Sequence, residues 1–408
     1  MKILVVTQYF WPEQFKINDL CEGLIERGHD VTVYTGLPNY PEGKFAKGYS
    51  FFGPYKENYG KIKIIRAPLI PRGKNKSIYL ALNYISFCLF STLLAPFLIK
   101  GKYDKIFIYQ VSPIFAALPA VLLKYLKKAP IIIWVTDLWP ESLEATGVVK
   151  NKKLLYIVGL FVKFIYAHSD KIYISSRGFG KKIASMGVRE SKIKFWPQWA
   201  ESFFKNYDSS SGYTDDRIPI GFIIMFAGNI GSAQDFETVV EAATILKGVP
   251  NIQFVILGDG LKRSWAEKEV ITRGLQKTFH FLGRKSIESM PYYYSSADVM
   301  LVSLTDTELF SITIPSKVQT YLASGKPILA ALNGEGADII NKWNAGYSCP
   351  ASNPVELAKV IEKMSKLSKE ELGQMGKNAI NCYNSEFERS KLIGALESDL
   401  ETMPWDKN

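Results

Sequence analysis

Histidine is nearly absent from this chain of 408 residues. His29, His168 and His280 share no local spacing, so a metal cluster built on histidine is not expected. Cysteine is almost as scarce. Cys21, Cys88, Cys349 and Cys382 lie far apart and form no CxxC pair, which argues against a zinc site and against a disulfide framework. There is no low-complexity tract and no fixed-period repeat. The apolar run after Met1-Lys2 breaks at Gln8, so the opening does not read as a signal peptide. Together with the scattered cysteines, this points to the cytoplasm.

Acidic residues are scarce in one half only. Residues 1–200 hold 29 Lys and Arg against 13 Asp and Glu, a net of +16; the remaining 208 hold 21 against 26, a net of −5. A basic first half facing a mildly acidic second half implies that the first half meets a polyanion, either membrane or nucleic acid. The basic residues are spread over many elements and match no nucleic-acid-reading motif, so no nucleic acid partner is expected. The length suits two domains.

KILVVT at 2–7 reads as a buried strand. A helix with Ile17, Leu20, Leu24 and Ile25 at helical spacing follows it, and Val31–Thr35 is the next strand. Further strands are expected at 62–66, 105–109, 130–135 and 171–174. The polar, Ser-rich stretch Asp208–Ile218 reads as a linker. A second series follows, with strands at 222–227, 253–257, 279–282, 299–303 and 327–331 and helices near 236–246, 261–273, 318–323 and 354–366. Alternating strands and helices predict an α/β class with two doubly wound domains in tandem and a site in the cleft between them. Ile78–Ile99 carries no charged residue. Asn83, Ser86, Ser91, Thr92 and Pro96 interrupt it, so it reads first as a buried or groove-lining helix pair. Dipping into one leaflet and spanning the bilayer remain alternatives.

Several motifs leave the carboxyl ends of the expected strands. FAGNIGSAQD (226–235) joins strand to helix, where glycines admit a phosphate and a helix start offers N–H groups; a tight turn that binds nothing fits the spacing equally well. VILGDG (255–260) is followed by Lys262 and Arg263, and a guanidinium can grip a diphosphate with two parallel hydrogen bonds. FLGRKSIESMPYYYSSAD (281–298) leads from a strand into a Tyr-rich helix whose tyrosines are expected to pack rather than to stack on a base. In IPSKVQTYLASGKPI (314–328), Pro315 and Ser316 open a helix with Lys317 in its first turn, against the helix dipole unless an anion is near. In the first half, Asp137 of WVTDLWPES, Glu13 of YFWPEQF and Asn39 of GLPNYPEG leave strand ends. Glu141 follows Pro140 and also reads as a helix start. These loops form the candidate site of the first half.

In this order, GNIG, VILGDG, LGR…MPYYYSSADVMLVSL and PSKVQTYLASGKPILA resemble the donor domain of glycosyltransferase family 4. TQYFWPEQFKINDLCEGLIERGHDVTVYTGLPNYPEGK and VTDLWPES resemble the branch that builds colanic acid, O-antigen and capsule polysaccharides. The resemblance runs over nearly the whole chain. It implies a GT-B fold, with an acceptor-binding Rossmann-like domain at 1–205, a donor-binding one at 206–389, and a C-terminal helix, about 390–408, packing back on the first. The implied activity is metal-independent, retaining transfer of a sugar, an N-acetylated hexosamine or deoxy sugar, from a UDP-sugar to a polyprenyl-diphosphate-linked acceptor. The implied place is the anionic inner face of the cell membrane, as a peripheral protein. No cofactor is implied. Carried over residue by residue, the resemblance makes Asp137, Lys317 and Arg263 catalytic, with Asp137 where family members often have a histidine. Gly228, Asn229, Gly231, Gly258, Gly260, Gly283, Arg284, Met290, Ser316 and Thr320 would bind donor, and Glu13, Asn39 and Glu141 would face the acceptor.

The chain departs from the pattern in two places. Asn229 and Gln234 stand where family members carry Arg and Lys. The usual pair of glutamates with seven residues between them falls on Ile312 and Thr320, with Glu308 the substitute at hand. Two other readings stand beside the transferase: a UDP-sugar epimerase of the same fold, which needs closely placed acid–base residues, and a non-catalytic nucleotide-sugar-binding assembly subunit.

Overall fold

Continuous apolar runs such as IIIWV and FIIMFA suit strands buried on both faces, and these runs build parallel sheets in two compact units. The structure is a computed structural model that describes residues 1–73, 77–145, 147, 149–201, 204 and 215–404. One unit comprises Met1–Pro197 with Ser390–Asn408, the other Gln198–Arg389. The boundary expected at 205/206, and the linker from 208 to 214, lie outside the described residues.

The first unit holds strands β1 (Lys2–Val6), β2 (Asp30–Gly36), β3 (Lys56–Tyr59), β4 (Ile62–Ala67), β5 (Lys105–Gln110), β6 (Ile131–Val135), β7 (Lys171–Ile174) and β8 (Ile193–Phe195). Their order is β3-β4-β2-β1-β5-β6-β7-β8, and only the β3–β4 pair is antiparallel. Its helices are α1 (Lys16–Glu26), α2 (Ser77–Leu98), α3 (Leu118–Lys127), α4 (Glu141–Ala145), α5 (Lys152–His168) and α6 (Gly178–Ser185). The chain moves from β1 to β2 in one direction along the sheet and from β4 through β5 and β6 to β7 in the other. Right-handed crossovers therefore place α1 on one face and α2, α3 and α5 together on the opposite face.

The second unit holds β9 (Phe222–Ala227), β10 (Ile252–Leu257), β11 (Phe279–Gly283), β12 (Val299–Ser303), β13 (Ile328–Ala331) and β14 (Gly346–Cys349), parallel throughout in the order β11-β10-β9-β12-β13-β14. Its helices are α7 (Phe236–Ile245), α8 (Arg263–Thr272), α9 (Met290–Ser296), α10 (Glu308–Ser311), α11 (Ser316–Ala323), α12 (Glu335–Lys342), α13 (Pro354–Ser365) and α14 (Lys369–Cys382). Phe226, Phe236, Phe254 and Leu301 are fully buried in its core.

A last helix, α15 (Arg389–Thr402), fastens to the first unit beside the end of α1. Glu397 pairs with Arg27 at 2.7 Å and with His29 at 2.9 Å, Asp399 accepts from Tyr173 and Lys194, and Trp196 Nε1 donates to the Leu392 carbonyl. The expected helix pair at 78–99 is instead one helix, and most of it is not buried. Pro96 falls within its last turn without ending it; Asn83, Ser86 and Ser91 are buried and find partners, while the half-buried Thr92 donates to the Cys88 carbonyl of its own helix.

Candidate functional site

In the second unit the glycine turns after β9, β10 and β11 are tied to one another. Gly228 N–H donates to the Leu257 carbonyl, Gly258 N–H to the Gly283 carbonyl, and Ile230 N–H to the Asp259 carbonyl, at 2.8, 2.8 and 2.9 Å. Packing is tight enough to require glycine. A Cβ on Gly258 would lie 1.9 Å from the Gly228 carbonyl oxygen, and one on Gly260 would lie 2.3 Å from that of Ile230. Gly228 and Gly258 also adopt φ of +135° and +128°, where other residues are strained. The glycines thus allow loop to meet loop, which accounts for much of the motif spacing without a ligand.

Phosphate binding was expected to use the backbone amides of this segment. The amides of Gly228 and Gly258 are already engaged, and those of Gly231 and Gly260 donate to Gln234 Oε1 and Asp259 Oδ1. The physical reason is that a buried or half-buried N–H finds a partner within the fold. Gln234, one of the two departures from the family pattern, thereby caps the turn before α7.

Two cations are built in. Tyr321 both donates to and accepts from the backbone of Ala227 at the end of β9, which fixes α11 against that strand. Lys317, one turn earlier, lies with Nζ 3.6 Å from the centre of the Phe226 ring. A Cβ on Gly228 would meet its Cε at 2.6 Å, so a side chain there would press on the end of the lysine stem. Burial pushes the Lys317 ammonium down to about 7. Arg263 opens α8, donates through Nε to Glu267 at 2.8 Å, and has its Nη1 3.5 Å from where a Cβ on Gly283 would stand. Neither α8 nor α11 has an acidic residue in its first turn. Two helix starts at one sheet edge therefore both carry cations where a dipole favours anions.

The remaining donor-side residues lie around this edge. Asn229 and Ser316 are exposed, as is Arg284, which pairs loosely with Asp259 at 3.6 Å. Met290 begins α9, and the Thr320 hydroxyl donates to the Ser316 carbonyl at 3.3 Å. Glu308 begins α10 and is exposed. The tyrosines of α9 are structural, as expected: Tyr293 donates to Asp215 and Tyr294 stacks on Phe204.

In the first unit the loops after β1 and β2 are joined by Glu13, whose Oε1 accepts from the amides of Asn39 and Tyr40 at 2.7 Å each. Burial pushes this carboxyl up to about 7, against the two amides and the nearby Arg66 charge. Its Oε2 is buried and has no hydrogen-bond partner among the described residues. A polar cluster grows from here. Gln8 Nε2 donates to Asn83 Oδ1 at 2.7 Å, and Asn83 Nδ2 donates to Asn39 Oδ1 at 3.2 Å. Tyr9 bonds to Tyr84, and Arg72 lies over the Tyr40 ring at 5.0 Å. Gln8, Tyr84 and Arg72 were not anticipated. The only signal for Asn83 and Tyr84 was polarity inside an apolar run.

Asp137, after β6, accepts from Ser112 and from Trp139 Nε1, the latter at 3.0 Å. Burial pushes its carboxyl up, and these bonds, with one from Ser142, hold it back. Glu141 is the first residue of α4, and its charge and that of Asp137 both act on the buried Tyr166 hydroxyl. The first unit thus brings Glu13 and Asn39 into contact and sets Asp137 and Glu141 around a neighbouring pair of strand ends. The histidines are dispersed: His29 is on Glu397, His168 on the Phe164 carbonyl and His280 on Gln253. The acid–base cluster that an epimerase would need is not formed by them.

Lys317 and Arg263 thus stand at the carboxyl edge of the sheet in the second unit, and Glu13, Asn39 and Asp137 in loops that leave strand ends in the first. Residues 16–199 match the family model of the glycosyl transferase 4-like domain, and residues 219–381 match that of glycosyl transferases group 1. Between them these cover most of the chain, which belongs to glycosyltransferase family 4. It is 28% identical over 337 residues to "Putative colanic acid biosynthesis glycosyl transferase WcaI" of Escherichia coli (strain K12), covering 80% of this chain and 82% of that one. It is 25% identical over 295 residues to "Probable glycosyltransferase WbjE" of Pseudomonas aeruginosa, covering 71% and 73%. Among solved structures, Anabaena HepE in complex with UDP and glucose superposes with a TM-score of 0.71 at 15% identity, covering 99% of this chain and 100% of that one. That likeness shows the GT-B fold.

Proposed function

We propose that this glycosyltransferase moves a sugar, an N-acetylated hexosamine or a deoxy sugar, from a UDP-sugar to a polyprenyl-diphosphate-linked acceptor in the assembly of a surface polysaccharide. The observation that carries this reading is Lys317 laid over Phe226 against Gly228, with Arg263 beside Gly283 at the same sheet edge. Two cations at the carboxyl end of a parallel sheet suit a departing nucleoside diphosphate, whose charge grows as the sugar leaves. UDP as the nucleotide is supported by HepE, solved with UDP and glucose. The polysaccharide is supported by WcaI, named for colanic acid biosynthesis.

In this reading the transfer retains the anomeric configuration and uses no metal or other cofactor; Lys317 and Arg263 supply the positive charge. Asp137 stands on the acceptor side near the reacting sugar, with Glu13, Asn39 and Glu141 around it. Gly228, Asn229, Gly231, Gly258, Gly260 and Gly283 shape the donor edge, and Arg284, Met290, Ser316 and Thr320 border it. The protein works at the cytoplasmic face of the cell membrane, where a polyprenyl-linked acceptor resides.

A thermal-shift titration with UDP, GDP, ADP and dTDP tests the donor, because a ligand of the native state alone stabilises it by about 2.7 kcal/mol at a hundred times its Kd. UDP is expected to raise the melting temperature, and Lys317→Ala to shrink the rise. Stabilisation by another nucleotide alone, or by none at millimolar concentration, would overturn the assignment.

A further inference from the structure

We infer that the face of the first unit paved by α2, α3 and α5 docks on an anionic lipid bilayer, with α2 lying in the plane of the interface. This rests on the lipid-linked acceptor proposed above and adds a surface and an orientation to it.

Helix α2 is patterned inside out. Asn83, Ser86, Phe87, Ser91 and Ala95 are buried, while Ile78, Leu82, Ile85, Leu89, Leu93 and Phe97 form an exposed stripe. Leu93 and Phe97 are 67% and 72% exposed. The helix carries no charge, and its mean hydropathy of 1.7 over 21 residues is that of a membrane segment. Phe52, 88% exposed, stands beside it through Phe51, whose ring meets that of Phe90. Helix α3 packs against both α2 and α5. On α5, Tyr156, Ile157, Leu160 and Phe164 are exposed as well. So large an apolar face on one side of a domain marks a binding surface.

Charge selects the occupant. Helices α2, α3 and α5 contain no Asp or Glu at all. Lys152, Lys153 and Lys163 on α5, with Lys100 and Lys102 just beyond α2, are exposed. Exposed apolar side chains on helices that together carry lysines and no carboxylates match the acyl boundary and the anionic headgroups of a bilayer. The geometry argues against a span. Tyr34 donates to the Ser91 carbonyl at 2.7 Å, and Asn83 is held by Gln8, Asn39 and Ile70. Crossing the membrane would break these bonds and carry an unpaired amide into hydrocarbon. Helix α2 therefore meets the bilayer with one side and offers Asn83 and Tyr84 to the acceptor-side cluster with the other.

The test is co-sedimentation of the full chain with phosphatidylglycerol/phosphatidylcholine vesicles and with phosphatidylcholine vesicles alone. The wild type is expected to bind the anionic vesicles at low salt and to lose affinity as salt rises. The triple variant Leu89→Ser/Leu93→Ser/Phe97→Ser should weaken that binding about tenfold or more, since each side chain leaves an apolar layer. Lys152→Gln/Lys153→Gln should narrow the preference for anionic vesicles. UDP-induced thermal stabilisation should be unchanged in both variants, which shows that they fold and separates this claim from the donor site. Vesicle binding by the triple variant equal to that of the wild type would overturn the inference. So would a wild type that ignores the anionic vesicles but forms a dimer that the triple variant abolishes, because a second copy would then cover the face.

Discussion

Lys317 should make nucleotide-sugar binding depend on pH. With burial holding the free ammonium at about 7, roughly nine-tenths of it is protonated at pH 6 and about one-tenth at pH 8. A diphosphate about 4 Å from it would gain about 4 kcal/mol of Coulomb energy at an effective dielectric of 20, enough to keep it charged across that range once ligand is bound. Binding above pH 7 must then take up a proton, and the Kd should rise about tenfold from pH 6 to pH 8, about 1.4 kcal/mol. The assay is calorimetric titration with a UDP-sugar rather than UDP, because a terminal phosphate titrates near pH 6 and a diphosphate diester does not. Lys317→Met should bind more weakly and show no such slope. A flat wild-type profile, or the same slope in Lys317→Met, would refute the reasoning. Stability should move the other way in the free protein. The unfolded lysine holds its proton up to its usual range while the folded one releases it near 7, so stability should rise with pH across that window, and Lys317→Met should remove the rise.

Gly258→Ala should abolish UDP stabilisation and destabilise the protein by about 3 kcal/mol or more by denaturant titration, because the new Cβ meets the Gly228 carbonyl in a strained conformation. Glu13 is held up to about 7 by burial, so the native state binds the extra proton between the usual carboxyl range and pH 7 and stability falls as pH rises through it; Glu13→Gln should flatten the melting temperature between pH 5 and pH 7. Arg66, fully buried and bonded to Glu57, Gly36 and Trp11, should cost about 3–5 kcal/mol when changed to alanine, read by urea unfolding. Arg66→Lys should recover little of that, since an ammonium lacks the planar fork that reaches three acceptors.

Strands such as IIIWV and FIIMFA were legible because burial on both faces leaves an unbroken apolar run. KENY at β3 and IKF at β8 were missed: they are short edge strands, paired on one side only and without that signature. GYSC at β14 failed for the same reason. Lys317 was readable from its conflict with the helix dipole, and Gly228 from its place after a strand. That Gly228 makes room for Lys317, while its amide serves Leu257, is a fact of packing between segments far apart in sequence. The 78–99 stretch was readable as apolar, but which side of it faces outward depends on partners such as Tyr34 and Gln8, brought in by other strands.

The central claim is tested most directly by following one reaction: release of UDP from a UDP-sugar panel by the purified chain, with and without a polyprenyl-diphosphate-linked sugar in anionic vesicles, in the presence of EDTA. The account predicts UDP release from one donor that requires the acceptor, survives EDTA, is lost in Lys317→Ala, and yields a glycoside with the donor's anomeric configuration by NMR. An inverted product, epimerisation of the donor without any acceptor, or no release from any UDP-sugar would contradict it.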